Sequence, residues 1–152
     1  MNTQYKPTYI SLFSSAGVGC YGFKMAGFDC IATNELLERR LNIQRYNQKC
    51  KYPGGYICGD ITQEQTKRLL YDQLDLLKTK EHLSRVDVVI ATPPCQGMSI
   101  ANQKKTDTEI VRNSLVVESI KIIQKINPRF FVFENVPAFM QTVCTDLDGV
   151  NK

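Results

Sequence analysis

The chain has 152 residues, 43% of them hydrophobic and 22% charged, which is room for one domain with its own core and no signature of disorder. Nineteen Lys and Arg against fifteen Asp and Glu leave a net charge of +4, an excess that permits a polyanionic partner without requiring one. Six cysteines (20, 30, 50, 58, 95 and 144) form no Cys-x-x-Cys pair and His82 is the single histidine, so no metal site is expected, the thiols read as reduced, and a cytoplasmic location is expected.

In chain order, strands alternate with helices. Tyr9 to Phe13 reads as a strand, followed by a small-residue turn from Ser14 to Gly19 and a short helix closed by Gly27. The uncharged stretch from Pro7 to Phe23 is broken by Ser14, Ser15, Gly17, Gly19 and Gly22, so no membrane span is expected. Phe28 to Thr33 is a second strand, Glu35 to Asn47 a helix, and Tyr56 to Cys58 a short third strand. Thr62 and Gln65 fit a capping box that opens a long helix with Leu69, Leu70, Leu74 and Leu77 on one face. Val86 to Ala91 is a buried-type strand, and Thr92 to Glu109 a loop carrying Pro93-Pro94. Ser114 caps a helix to Asn127 with Leu115, Ile120, Ile123 and Ile126 inward, and Pro128 stops it. Phe130 to Phe133 is the fifth strand, before a last short helix.

This alternation predicts an α/β fold, a mostly parallel sheet with strand order 3-2-1-4-5 and helices on both faces. Ligands of such sheets bind beyond the carboxyl ends of the strands. The chain's unusual residues fall there: the glycine turn, Asn34-Glu35, Gly59-Asp60, Pro93-Pro94-Cys95 and Glu134-Asn135. Each also has an ordinary reading. The turn is equally consistent with a mere tight turn, and Glu35 with a helix-start carboxylate. An acid about 20 residues after such a turn can accept ribose hydroxyls, and Asp60 can accept an adenine amino group. Together these strand ends describe an adenosine-shaped pocket that suits a dinucleotide or S-adenosylmethionine alike.

Thr92 to Gly97 narrows the choice. Two prolines stiffen the segment and hold the Cys95 side chain in one direction. Cys95 follows a buried strand, with basic Lys104, Lys105 and Arg112 expected nearby, and positive charge raises the thiolate fraction. Cys20, Cys30 and Cys58 read as inert core residues. Glu134 directly follows an apolar run, so a partly desolvated carboxyl is expected there, as suits a proton donor.

At this point the chain resembles the DNA cytosine-5 methyltransferases. Pro94-Cys95-Gln96 and Glu134-Asn135-Val136 are the specific elements. The turn at Phe13 to Gly19, Asn34-Glu35, Gly59-Asp60-Ile61 and Arg112-Asn113-Ser114-Leu115 support them, in order, from about Tyr9 to Phe139. The resemblance implies a Rossmann-like methyltransferase fold and methyl transfer from S-adenosylmethionine, with S-adenosylhomocysteine as product, to C5 of cytosine in double-stranded DNA. The cytosine would be flipped out of the duplex. Cys95 would be the nucleophile at C6, Glu134 would bind or protonate N3, and Pro94, Gln96 and Asn135 would shape the catalytic loop. Phe13, Gly17, Gly19, Asn34, Glu35, Leu36, Asp60, Ile61, Pro93 and Leu115 would hold the cofactor, Leu36 where the family often has an aromatic.

Ser15 stands where a glycine is common in that turn. The family's Gln-Arg-Arg-type element, target-recognition domain and closing strands are not found in residues 1–152. The expectation is a partial catalytic domain, incomplete at its C-terminal side: a truncated piece or one subunit of a split enzyme, inactive alone and completed by a second polypeptide. A catalytically silent cofactor- or partner-binding fragment and an RNA cytosine-5 methyltransferase are the alternatives.

Overall fold

The computed structural model describes residues 5–94, 107–141 and 144. Five strands form one sheet in the order β3-β2-β1-β4-β5: β1 (Thr8–Leu12), β2 (Asp29–Glu35), β3 (Tyr56–Cys58), β4 (Val88–Ala91) and β5 (Phe130–Phe133). All four pairings are parallel, in the predicted order. The connecting helices are α1 (Tyr21–Met25), α2 (Glu38–Tyr46), α3 (Glu64–Glu81) and α4 (Asp107–Ile126).

Alternation along the strands sorts the core into two layers. Ile10 and Leu12 of β1 and Val89 and Ala91 of β4 pack with Leu70, Leu74 and Leu77 of α3 and Ile122, Ile123 and Ile126 of α4. Tyr9, Val88 and Ile90 join Cys20 and Cys30 in a second cluster, against Phe23 and Phe28. With both faces covered, these central strands need no polar side, which is why they read as continuous apolar runs.

Asp87, buried just before β4, ties three segments together. Its carboxylate accepts hydrogen bonds from the Thr8 amide (2.7 Å) and hydroxyl (3.1 Å) and from the Tyr5 hydroxyl, and Arg129 lies 3.5 Å away. Burial alone would raise its pKa, but these hydrogen bonds and the Arg129 charge outweigh burial and hold it below the usual carboxylate value.

Several boundaries differ from expectation. β2 runs on through Glu35, so Asn34 and Glu35 are paired with Ile57 and Cys58 inside the sheet, and α2 starts only at Glu38. The capping box does not form: α3 begins at Glu64, and Thr62 is taken by Asp60, whose Oδ1 accepts from both its amide (2.9 Å) and its hydroxyl (2.8 Å). That local turn competes with helix capping for the same threonine. α4 starts seven residues before Ser114, which is buried within the helix rather than capping it. Leu69 and Ile120 point outward, and Val116, Val117 and Ile122 supply the inner face instead of Ile120. Cys58 is exposed rather than core.

β5 is an edge strand among the described residues. Its first three side chains are exposed, Phe130 by 68%, Phe131 by 61% and Val132 by 41%, and only Phe133 packs against the core. None of the described helices is long and apolar enough to cross a membrane.

Candidate active site

A cleft of about 520 Å³ opens at the carboxyl edge of the sheet, the size of a small-molecule site. Phe13, Asn34, Glu35, Leu36, Asp60, Ile61, Pro93, Leu115, Pro94 and Glu134 all line it. The topology explains the convergence: β1, β2, β3, β4 and β5 run parallel, so their last residues reach the same rim.

Glu35 is the most organised side chain. It is 4% exposed. Its Oε2 accepts the Ser15 amide at 2.8 Å, and its Oε1 accepts the Leu37 amide at 3.2 Å and the Arg40 guanidinium at 3.1 Å. A carboxylate offers about four acceptor positions, so Oε2 keeps one for a ligand hydroxyl. Asp60 sits across from β2 on the exposed rim, with Oδ1 occupied by Thr62. The preceding Gly59 has φ +143°, and a Cβ there would lie 2.5 Å from the Thr66 hydroxyl, so only glycine lets the chain turn toward the cleft at this point. Asn34 lines the cleft, but its amide is spent on the Ile57 (3.3 Å) and Gly59 (3.0 Å) carbonyls. Its work is to stitch the end of β2 to that of β3.

At the other end of the cleft the chain leaves β4 through Thr92, Pro93 and Pro94. The Thr92 hydroxyl donates to the Phe13 carbonyl (3.0 Å) and the Asn135 amide to the Pro93 carbonyl (3.2 Å). The diproline exit is thereby anchored to β1 on one side and to the β5 turn on the other. Pro93 is buried and Pro94 exposed. Glu134 continues the ladder, its amide bonded to the Ala91 carbonyl at 3.1 Å. The side chain is exposed, which corrects the expectation of a desolvated carboxyl. The apolar run before it lies on β5, where Phe130, Phe131 and Val132 are themselves exposed.

The structure does not bring Gly17 and Gly19 to the cleft. Gly17 (φ +89°) lines a separate cavity of about 470 Å³ on the other side of the turn with Tyr9, Gln44 and Lys49, and Gly19 has no neighbour where a Cβ would lie. Cys95 and Gln96 lie outside the described residues, as do Lys104 and Lys105 and the Arg112 side chain. Exposed Cys58 has its thiol pKa raised by partial desolvation and by the Glu38 carboxylate, so it stays protonated. Arg40, Ser15 and Thr92 line the cleft without having been expected. For Arg40 the available signal was its spacing from Glu35, five residues on at the start of α2.

Residues 8–145 match the family model described as C-5 cytosine-specific DNA methylase. The chain belongs to that family. Among curated members of the C-5 cytosine methylases and their relatives, it is 35% identical over 135 residues to the Type II methyltransferase M1.HgaI of Avibacterium volantium, covering 87% of this chain and 35% of that protein. It is 36% identical over 130 residues to M1.HphI of Haemophilus parahaemolyticus, covering 85% and 32%. The chain thus spans about a third of the length of these relatives. A solved structure described as a DNA modification methyltransferase encoded within a prophage of E. coli shares the fold, with TM-score 0.62 and 24% identity over 90% of this chain and 34% of that one.

Proposed function

We propose that this chain carries the cofactor cleft and catalytic face of an enzyme that methylates C5 of cytosine in DNA. The observation that supports this reading best is the single cleft in which Glu35 and Asp60, the diproline exit and Glu134 meet. The cofactor would be S-adenosylmethionine, which supplies an electrophilic methyl group on a sulfonium. The cleft suits it: Phe13, Leu36, Ile61 and Leu115 give apolar walls for an adenine, and Glu35 and Asp60 give acceptors. Glu35 would take a ribose hydroxyl on its remaining acceptor position.

Cys95 follows the anchored Pro93-Pro94 exit and would add to C6 of the extruded cytosine. Electron density then moves from the C5–C6 bond onto the ring. Glu134 would donate to N3 and stabilise that charge, and its exposed position on the cleft rim leaves it open to a base. C5 becomes nucleophilic enough to accept the methyl group. A base, such as water, would take the C5 proton, Cys95 would leave as the thiolate, and the N3 proton would return to Glu134, which restores the aromatic ring. Asn135, through the Pro93 carbonyl, would keep the nucleophile's loop in register, and Gln96 would lie near the DNA.

Methyl transfer also requires further chain, supplied by a second polypeptide or by the remainder of a longer one. The exposed apolar Phe130, Phe131 and Val132 on the open edge of β5 support this, because such edges invite pairing. The family match is to DNA methylases, which favours DNA over RNA as substrate.

Titration with S-adenosylhomocysteine tests the cleft, with one-to-one binding expected. Methyl transfer from labelled S-adenosylmethionine to duplex DNA, with the chain alone and joined to the C-terminal part of a relative, tests the reaction. Activity is expected only in the joined form and is lost in Cys95→Ser. Full activity of Cys95→Ser would overturn the mechanism.

A further inference from the structure

We propose that Gln44, which reaches the cofactor turn from α2 without lining the cleft, is a positioning residue: its carboxamide fixes the backbone of Ser15 through the carbonyl, and the Ser15 amide in turn orients Glu35. The inference rests on the cofactor reading above and deepens it.

Gln44 is fully buried, unusual for an uncharged but strongly polar side chain. Both of its amide hydrogens are used, and its oxygen accepts as well. Nε2 donates to the Ser14 hydroxyl at 2.8 Å and to the Ser15 carbonyl, and Oε1 accepts from the Thr33 hydroxyl at 3.1 Å. The orientation of the amide is fixed by chemistry, since the Ser15 carbonyl can only accept and a flipped amide would set oxygen against oxygen. The stem of the same side chain presses on the turn as well: a Cβ on Gly17 would lie 3.1 Å from Gln44 Cγ. One side chain from α2 therefore touches Ser14, Ser15 and Gly17. This also accounts for Gly17, whose missing side chain makes room for Gln44 and whose φ of +89° closes the turn.

Ser15 is where such a device is needed. Its φ is +49°, a left-handed conformation that L residues other than glycine disfavour. Ser15 is held on both sides of its α-carbon. The amide goes to Glu35 Oε2 at 2.8 Å and the carbonyl to Gln44, while the Ser14 hydroxyl bonds the Asn34 carbonyl at 3.0 Å. The line of contacts runs from Gln44 to the Ser15 carbonyl, across the Ser15 α-carbon to its amide, and on to the carboxylate that faces the cleft. Gln44 does not line the cleft, so its effect on a ligand passes through Ser15.

The test compares the full chain with Gln44→Met, Gln44→Glu, Ser15→Gly and the double variant Ser15→Gly/Gln44→Met. Amide hydrogen exchange at Ser15 and calorimetric titration with S-adenosylhomocysteine are the readouts. Gln44→Met is expected to speed Ser15 exchange at least tenfold and to weaken binding at least tenfold. In the Ser15→Gly background the same substitution is expected to cost less than threefold in binding, because glycine adopts the turn unaided. Leu74→Ala, a core change on α3, serves as control: it lowers the melting temperature and leaves Ser15 exchange and affinity unchanged. Should Gln44→Met not fold, Gln44→Glu replaces it, since it keeps the volume and the acceptor for Thr33 but loses the donor. Unchanged Ser15 exchange, or equal losses with serine and with glycine at position 15, would reduce Gln44 to an ordinary core residue and overturn the proposal. If the wild-type chain binds no S-adenosylhomocysteine while Gln44→Met still frees the Ser15 amide, the clamp stands and the cofactor reading fails.

Discussion

The two ends of the cleft are built differently. Where β1 and β2 finish, the polar groups are tied to one another: Ser14 to Asn34, Ser15 to Glu35 and Gln44, Asn34 to Ile57 and Gly59. Most of these side chains are nearly inaccessible. Where β4 and β5 finish, the anchored parts are backbone carbonyls, Phe13 held by Thr92 and Pro93 by Asn135, while Pro94 and Glu134 stand open to solvent. A carboxylate whose partners are already in place, here the Ser15 turn, the Leu37 amide and Arg40 of α2, is preorganised before any ligand arrives. One that sits on a bare edge acquires its environment from whatever docks there. The first end is therefore suited to binding, and the second is open to a docking partner.

The sharpest way to break this division is at Cys95, the proposed nucleophile. Cys95→Ser in the complete enzyme is expected to cut methyl transfer by at least about 10⁴-fold while leaving S-adenosylhomocysteine affinity unchanged; a parallel loss of affinity in titration would mean the ends are not separable. Glu35→Gln attacks the other end. Removing a charge-assisted acceptor costs about 1.5–3 kcal/mol, so cofactor affinity is expected to fall by roughly 10- to 150-fold, with Arg40 left unpaired.

Asp87 anchors the opposite, amino edge of the sheet, and its effect is expected to appear in the acid range. Its folded pKa is depressed, so it adds stability above the unfolded value near 4 and loses it as pH falls through the lower, folded value. Asp87→Asn is expected to lower the melting temperature at neutral pH and to flatten its decline in acid. An unchanged acid slope would show that the carboxylate's hydrogen bonds do not contribute. The smallest effect belongs to the open strand. Phe131→Ala is expected to change the stability of this chain by less than about 1 kcal/mol, because the side chain is already exposed. The same substitution in the joined enzyme is expected to cost several-fold more in a denaturant titration. Equal costs would argue that nothing covers β5.

The strand order and the residues on the carboxyl rim were legible in the sequence because apolar runs and small-residue turns mark them directly, although β2 ran two residues further than its apolar run. Polar neighbours in sequence were harder to place. Thr62 looked like a helix cap and became the partner of Asp60, because both roles ask for the same hydroxyl next to the same kind of turn. The first two turns of α4 carry no apolar periodicity, so its start was set seven residues late. Exposed Glu134 was misjudged because an apolar run was taken to screen the carboxylate that follows it, although the predicted strand order already placed that run at the edge of the sheet. Gln44 went unnoticed for a different reason. Its only trace is a place three residues after Leu41, on the same face of α2, where an apolar residue would be the ordinary choice.

β1 lies in the middle of the sheet, yet its two flanks are filled from very different distances along the chain. β2 follows at once, whereas the β4 partner of Tyr9 is Val88, nearly the whole length of the described N-terminal segment away. At ordinary elongation rates of about 5–20 residues per second, that gap amounts to roughly 4–16 s on the ribosome. Helices and local turns form in microseconds. During synthesis the innermost strand therefore spends seconds with one side unzipped, and a neighbouring nascent chain that supplies its own copy of β4 in that interval would produce an interlocked pair.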